Sequence, residues 1–162
     1  ICFWLGRDLT WANQPDRAAV LLEHYLGLPS STWREERSEA MRFLAKLQPA
    51  KARTWLDKAR LEAPQRREIW LDLAELLHHE EDWLNLFWAC ASGITTTHHT
   101  GSYLDDSNSW GYRLYDLAAI AAWRLDALDL AVKWGQQALE LDPTNQRLKN
   151  NLDFFIQRRD QG

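Results

Sequence analysis

A chain of 162 residues has the size of one ordinary domain, and 46% hydrophobic with 26% charged residues excludes a disordered segment. A formal net charge of −4 gives no basic footprint for nucleic acid, and no apolar run approaches the roughly 20 residues of a membrane-spanning helix. Cys2 and Cys90, the two cysteines, are too few and too far apart for a disulfide framework or a zinc site, and read as inert thiols of a reducing, cytoplasmic compartment. No signal peptide is visible, and Ile1 opens without Met in a stretch that already reads as helix, as expected of a piece of a longer protein.

The first predicted unit spans about residues 1–30. Its first helix carries Phe3, Trp4, Leu5, Gly6 and Leu9, Asn13 and Gln14 turn the chain, and Pro15 opens a second helix, where a missing N–H costs nothing. Ala18, Leu22, Tyr25 and Leu26 form the buried stripe of that helix. The second unit, 31–64, starts with Ser31 or Thr32 as helix cap, and Trp33, Ala40, Phe43, Leu44 and Leu47 make its apolar face. Glu36 and Glu39 occupy positions that are usually apolar, so the register of this helix is the least defined. Pro49 repeats Pro15 one period later, Ala52, Trp55, Leu56 and Ala59 follow, and Pro64 closes the unit.

The third unit, 65–95, carries Trp70, Leu73, Ala74 and Leu77, then Trp83, Leu86, Phe87, Cys90 and Ile94. A segment rich in Thr, Ser and Asp then breaks every period over 95–109, which predicts an insertion loop. In the fourth unit, 110–143, Leu117, Ala118, Ala121, Ala122 and Leu125 recur at helical spacing, Asp126 and Ala127 interrupt them, and Leu128, Ala131, Gly135, Ala138 and Leu139 repeat the period. A last helix over 145–157 has Leu148, Leu152, Phe155 and Ile156 on one side and Arg147, Lys149 and Asn150 on the other, as expected of a cap, and 158–162 should fray.

Three columns of residues tie these units together. Ala18, Ala52 and Leu86 lie 34 residues apart, as do Tyr25, Ala59 and Gly93, and Gly6, Ala40 and Ala74. From Leu86 to Ala131, Gly93 to Ala138 and Ala74 to Ala119 the step is 45, so a single insertion of 11 residues accounts for every column. Short side chains at a fixed period let two helix axes approach closely. The pattern resembles the tetratricopeptide repeat, W-x2-L-G-x2-Y, then A-x3-F, then P, with a period of about 34 residues. In the fourth unit Tyr115 stands for Trp, Ala119 for Gly and Ala122 for Tyr, and Pro143 ends the unit. The expected fold is therefore all-α, a single-domain α-solenoid of antiparallel helix pairs, a tetratricopeptide-like superhelix of about four repeats with a C-terminal capping helix.

In such an array the first helices of the units line a concave groove. Arg7, Arg37, Glu75, Asp116 and Arg124 fall on that lining, joined by Arg42 if the register of the second unit shifts. A groove of mixed sign suits an extended charged peptide; the other reading is that these charges pair with one another. Trp11 and Trp123 lie at the inner ends of their helices, either to stack on a sugar or a peptide side chain or to pack against the next unit. His79 is a further lining candidate beside His78. Neighbouring histidines on one helix point about 100° apart, so neither they nor His98 and His99 predict a metal site. Asp105 and Asp106 read as turn formers. With no phosphate loop and no nucleophile beside a base, neither catalysis nor a cofactor is expected of this chain.

A finer resemblance covers nearly the whole chain. WLGRDLTWANQPDRAAVLLEHYL, STWREERSEAMRFLA, APQRREIWLDLAELL, EDWLNLFWACASGI and SYLDDSNSWGYRLYDLAAIAAWRL are similar to the helical segment that follows the catalytic domain in bacterial and phage inverting, nucleotide-sugar-dependent glycosyltransferases. This resemblance implies a non-catalytic appendage for acceptor binding or self-association, with the metal and nucleotide sugar held by a domain outside this sequence. The alternative is a freestanding adaptor that holds a protein tail in its groove.

Overall fold

The computed structural model describes residues 1–161. Among them the chain forms nine α-helices and two short 3₁₀ turns, with no strand. Four hairpins follow in order: α1 (Cys2–Trp11) with α2 (Pro15–Gly27), α3 (Arg34–Leu47) with α4 (Ala52–Glu62), α5 (Arg67–His79) with α6 (Trp83–Thr96), and α7 (Arg113–Arg124) with α8 (Leu128–Leu141). Helix α9 (Gln146–Asp160) packs on α8. Each second helix also packs on the first helix of the next hairpin, and α1, α3, α5 and α7 touch in succession, so these four line one inner face of a stack.

The short-residue columns are the points of closest approach. A Cβ on Gly6 would lie 2.8 Å from the Leu22 side chain, and one on Gly93 would lie 2.8 Å from the Cβ of Trp70. Ala40, Ala59, Ala74, Ala119, Ala131 and Ala138 are likewise buried, where a longer side chain would force the helices apart. Cys90 sits in this core, and burial pushes its thiol pKa up, which leaves it unreactive.

The turns follow their local chemistry. Asn13, Glu81 and Asp126 adopt positive φ at the bends of the first, third and fourth hairpins, and Pro15 opens α2 as expected. The second hairpin turns differently, through a 3₁₀ turn over Pro49–Lys51. The Asp82 carboxylate caps α6 and the Asn145 amide oxygen caps α9.

Several local expectations are corrected. Neither Ser31 nor Thr32 caps α3, whose first flanking residue is Trp33; Ser31 lies upstream of that position, and its carbonyl and hydroxyl both accept from Arg37. Trp33, Trp4 and Leu5 are substantially exposed rather than core, and α3 buries Ser38, Met41, Arg42 and Ala45 together with Ala40 and Leu44. The last helix does not fray at Arg158 but continues to Asp160.

Candidate peptide-binding groove

The insertion between α6 and α7 lies across the inner helices. Leu104 packs against the cluster of Phe3, Leu22, Tyr25, Ala40 and Leu44, and Tyr103 stacks on Trp4 with ring centroids 5.3 Å apart and leans on Trp33 at 5.5 Å. The Tyr103 hydroxyl donates to Glu36 at 3.2 Å, and partial burial together with that carboxylate pushes the phenol pKa up to about 12. The loop is shaped by Asp105, which accepts from the Thr100 amide at 2.9 Å, the Thr100 hydroxyl at 2.7 Å and the Gly101 amide at 2.9 Å. Burial alone would raise the Asp105 pKa, but these hydrogen bonds outweigh it and hold the carboxyl below its ordinary value.

Two side chains at the start of α5 grip the main chain of this insertion. Arg66, fully buried, donates to the Leu104 carbonyl at 2.9 Å, to the Glu35 carbonyl at 3.1 Å and to the Ser38 hydroxyl at 3.2 Å, and pairs with Glu39 at 2.9 Å. Glu68, also buried, accepts the Asp106 amide at 2.7 Å. A segment of chain is thus held across α3 and α5 by contacts to its backbone.

Further along α5 and α7 the inner face is uncovered, and its charges alternate. Arg42 donates to Asp72 at 2.8 Å and pairs with Glu39 at 3.0 Å, with Lys46 3.8 Å from Asp72. Arg113 bridges Glu75, at 2.6 and 2.8 Å, and Asp116, at 2.8 Å. Arg147 from α9 completes the row with two bonds to Asp116, at 3.0 and 2.8 Å. The hydrogen bonds to Glu75 raise Arg113 above its ordinary pKa, and those to Asp116 do the same for Arg147. Beside this row, Ala45, Ala52, Leu56 and Leu76 floor a cleft of about 250 Å³, with Lys46, Asp72 and Glu75 at its rim. One apolar or long amphipathic side chain fills such a volume.

The predicted lining residues do not share one site. Arg42, Glu75 and Asp116 belong to the charged row, where Asp116 is only 2% exposed. Arg7 and Trp11 lie at the other end, with the Arg7 guanidinium 4.3 Å from the Trp4 ring centroid and 4.5 Å from that of the exposed Trp11. Arg37 points into the joint between α2, α3 and α4, bonded to Glu62 at 2.9 Å and the Leu26 carbonyl at 3.0 Å. Trp123 packs edge-on against Phe154 of α9 at 5.3 Å, and Arg124 sits 4.7 Å from both the Trp83 and Trp123 rings. His79 is exposed at the end of α5, while His99 stacks on Trp110 at 3.8 Å.

Sequence reasoning missed Arg66, Glu68, Asp72, Arg113 and Arg147. Only Arg113 carries a local signal, an arginine three residues before an aspartate on one helix; Arg147 reads by its spacing as part of the outer side of the cap, and Arg66 meets its hydrogen-bond partners across 28 or more residues of sequence.

No protein-family model and no curated protein matches the sequence. Solved structures do match in shape. MamA 41-end from Desulfovibrio magneticus RS-1 superposes with a TM-score of 0.69 at 18% identity, over 98% of this chain and 86% of that one. MamA of strain AMB-1 gives 0.72 at 13% identity over 98% and 81%. TTC0263, a thermophilic tetratricopeptide protein of Thermus thermophilus, gives 0.53 at 13% over 96% and 79%. Identities this low speak of fold alone, and with the stacked hairpins they make the chain a tetratricopeptide-like α-solenoid.

Proposed function

We propose that this chain is a non-catalytic adaptor that holds an extended peptide of a partner protein along the inner face of α1, α3, α5 and α7. One observation carries the reading: that face already holds a stretch of polypeptide, its own insertion, through Arg66 and the Leu104 carbonyl and through Glu68 and the Asp106 amide. Bonds to backbone give affinity whatever the sequence, and neighbouring pockets select side chains. The uncovered cleft between Ala45, Leu56 and Leu76 takes an apolar side chain, and the half-exposed Glu75 and Arg147 exchange their internal pairs for charges on the ligand.

Selection from a displayed library of random peptides tests this. Selected peptides should lose binding to the Glu75→Arg and Arg147→Glu variants while both variants melt as the parent does. A library that yields no binder, or binders indifferent to both changes, would sink the reading.

The resemblance to glycosyltransferase appendages supports a second reading, acceptor binding in a longer enzyme. It draws on the exposed Trp4, Trp11, Trp33 and Tyr103 beside a cavity of about 280 Å³ lined by Arg7, Glu39, Asp105 and Asp106, a setting that suits a sugar ring. Tryptophan fluorescence during glycan titration checks it; an unchanged spectrum at millimolar glycan counts against it.

A further inference from the structure

The insertion is pinned at its base and docked at its tip. At the base, Arg67 donates to the Thr97 hydroxyl at 2.9 Å, the His98 amide donates to the Gln65 carbonyl at 3.3 Å, and the Trp110 ring is contacted by the Arg67 guanidinium at 4.0 Å and by the His99 ring at 3.8 Å. The tip, 100–106, is folded on itself. Besides the bonds that Asp105 accepts, the Ser102 amide donates to the Thr100 hydroxyl at 3.2 Å and the Leu104 amide to the Ser102 hydroxyl at 3.1 Å. It meets the inner helices along one edge, from Tyr103 to Asp106.

The groups beneath that edge keep partners of their own when it leaves. Arg66 retains Glu39, the Glu35 carbonyl and the Ser38 hydroxyl; Glu36 retains the Tyr25 hydroxyl at 2.6 Å; Glu68 retains the Arg66 guanidinium at 3.6 Å. Lifting the edge therefore strands no buried charge, and what it uncovers is a seat with a fixed order. An aromatic ring fits beside Trp4 and Trp33 with its hydroxyl on Glu36, the next side chain fits against Phe3, Tyr25 and Leu44, the carbonyl of that same residue meets Arg66, and the amide two residues further on meets Glu68. The tip fills this seat incompletely: a cavity of about 280 Å³ remains between its Tyr103 and Leu104 and the side chains of Arg7, Glu39 and Phe43.

We infer that the tip is an internal stand-in for the partner, holding the seat of an aromatic–aliphatic pair in the partner's peptide and yielding to it. The inference rests on the peptide-adaptor reading above and adds to it the ligand's sequence order and a built-in competitor. A peptide that engages Glu75 and Arg147 in the open half and continues along α5 and α3 arrives at this seat, and its own aromatic–aliphatic pair displaces the tip while the base stays pinned. A short tethered segment acts at an effective concentration on the order of millimolar. A free peptide of the same sequence therefore loses to the tip at micromolar concentration and gains the seat once the tip's two side chains are removed.

Fluorescence anisotropy with a labelled synthetic peptide, Gly-Ser-Tyr-Leu-Asp-Asp-Ser, the sequence of 101–107, tests this. The probe should bind the Tyr103→Ala, Leu104→Ser double variant at least tenfold more tightly than the parent chain, with helix content unchanged by circular dichroism. Alanine in place of the probe's tyrosine or leucine should abolish that binding. A second readout uses the parent alone and survives misfolding of the variant: millimolar probe should speed hydrogen exchange of the Asp106 amide, which Glu68 holds. A probe that fails to bind the folded variant, equal affinity for variant and parent, binding indifferent to the tyrosine and leucine, or an Asp106 amide unmoved by the probe would overturn the inference. Library peptides that need Glu75 and Arg147 while this probe fails would leave the adaptor reading standing and remove only the internal competitor.

Discussion

The inner face has a covered half and an open half, built from the same ingredients put to different use. Under the insertion, Arg66 and Glu68 are both buried and, besides the ion pair of Arg66 with Glu39, hold the backbone at Leu104 and Asp106. Beyond it, Glu75, Arg113, Asp116 and Arg147 direct theirs to one another, and the outer members stay accessible to water. Alternating charge on a helical face is therefore not by itself a binding signal. What distinguishes the halves is whether a segment of chain lies across them to share the hydrogen bonds of the charged groups.

The sharpest way to break the comparison is Arg66→Ala. It leaves the buried Glu68 without its cation, takes from Glu39 one of its two arginines and frees the Leu104 carbonyl, so unfolding free energy in urea should fall by about 3 to 5 kcal/mol. In the open half, Asp116→Ala removes a buried carboxylate shared by two arginines that are themselves partly hydrated, and a loss of about 2 kcal/mol is expected by the same measurement. A loss as large as that of Arg66→Ala would erase the distinction. Ala131→Leu probes packing apart from charge, overfilling a fully buried contact of α8 at a cost of about 1 to 3 kcal/mol read from thermal melts. Tyr103→Ala removes the ring between Trp4 and Trp33 and should cost only about 1 kcal/mol globally. Its larger mark should be faster amide exchange and proteolysis within 97–112, with the open half unchanged.

The smallest effect is a pH dependence of the covered half. The carboxyl of Asp105 is held below its ordinary value of 3.8, so its contribution is complete above that value and is lost as the pH falls through the lower folded-state value. Amide exchange at Thr100 and Gly101 should rise as the medium is acidified below 3.8, ahead of any change in helix content. Exchange that stays slow until the helices melt would remove Asp105 from the role of loop organiser.

The helical hairpins were legible because they are written locally, in alanines and glycines at a constant step and in Pro15, Asn13 and Asp126 at the bends. Glu81 takes the same left-handed conformation with no such mark in its residue type. The inner face was only partly legible, since its residue types were visible and their partners were not. Glu36 and Glu39 looked misplaced on an apolar stripe until folding supplied the hydroxyls of Tyr25 and Tyr103 and the guanidinium groups of Arg42 and Arg66. Trp4 and Trp33 read as core because aromatic residues at helical spacing usually are; here the partner that half-covers them is Tyr103, in a segment whose conformation no period announces.

Stacked hairpins ordinarily behave as beads on a line, each feeling only its neighbours, so that an end can melt while the middle stands. The insertion departs from that behaviour. Rooted between the third and fourth hairpins, it reaches back through Tyr103 and Leu104 to Trp4 and Phe3 in the first. Detaching the first hairpin must therefore also peel the insertion from α3 and α5, which couples distant parts of the array into one melting unit and makes its unfolding steeper than its architecture alone would give.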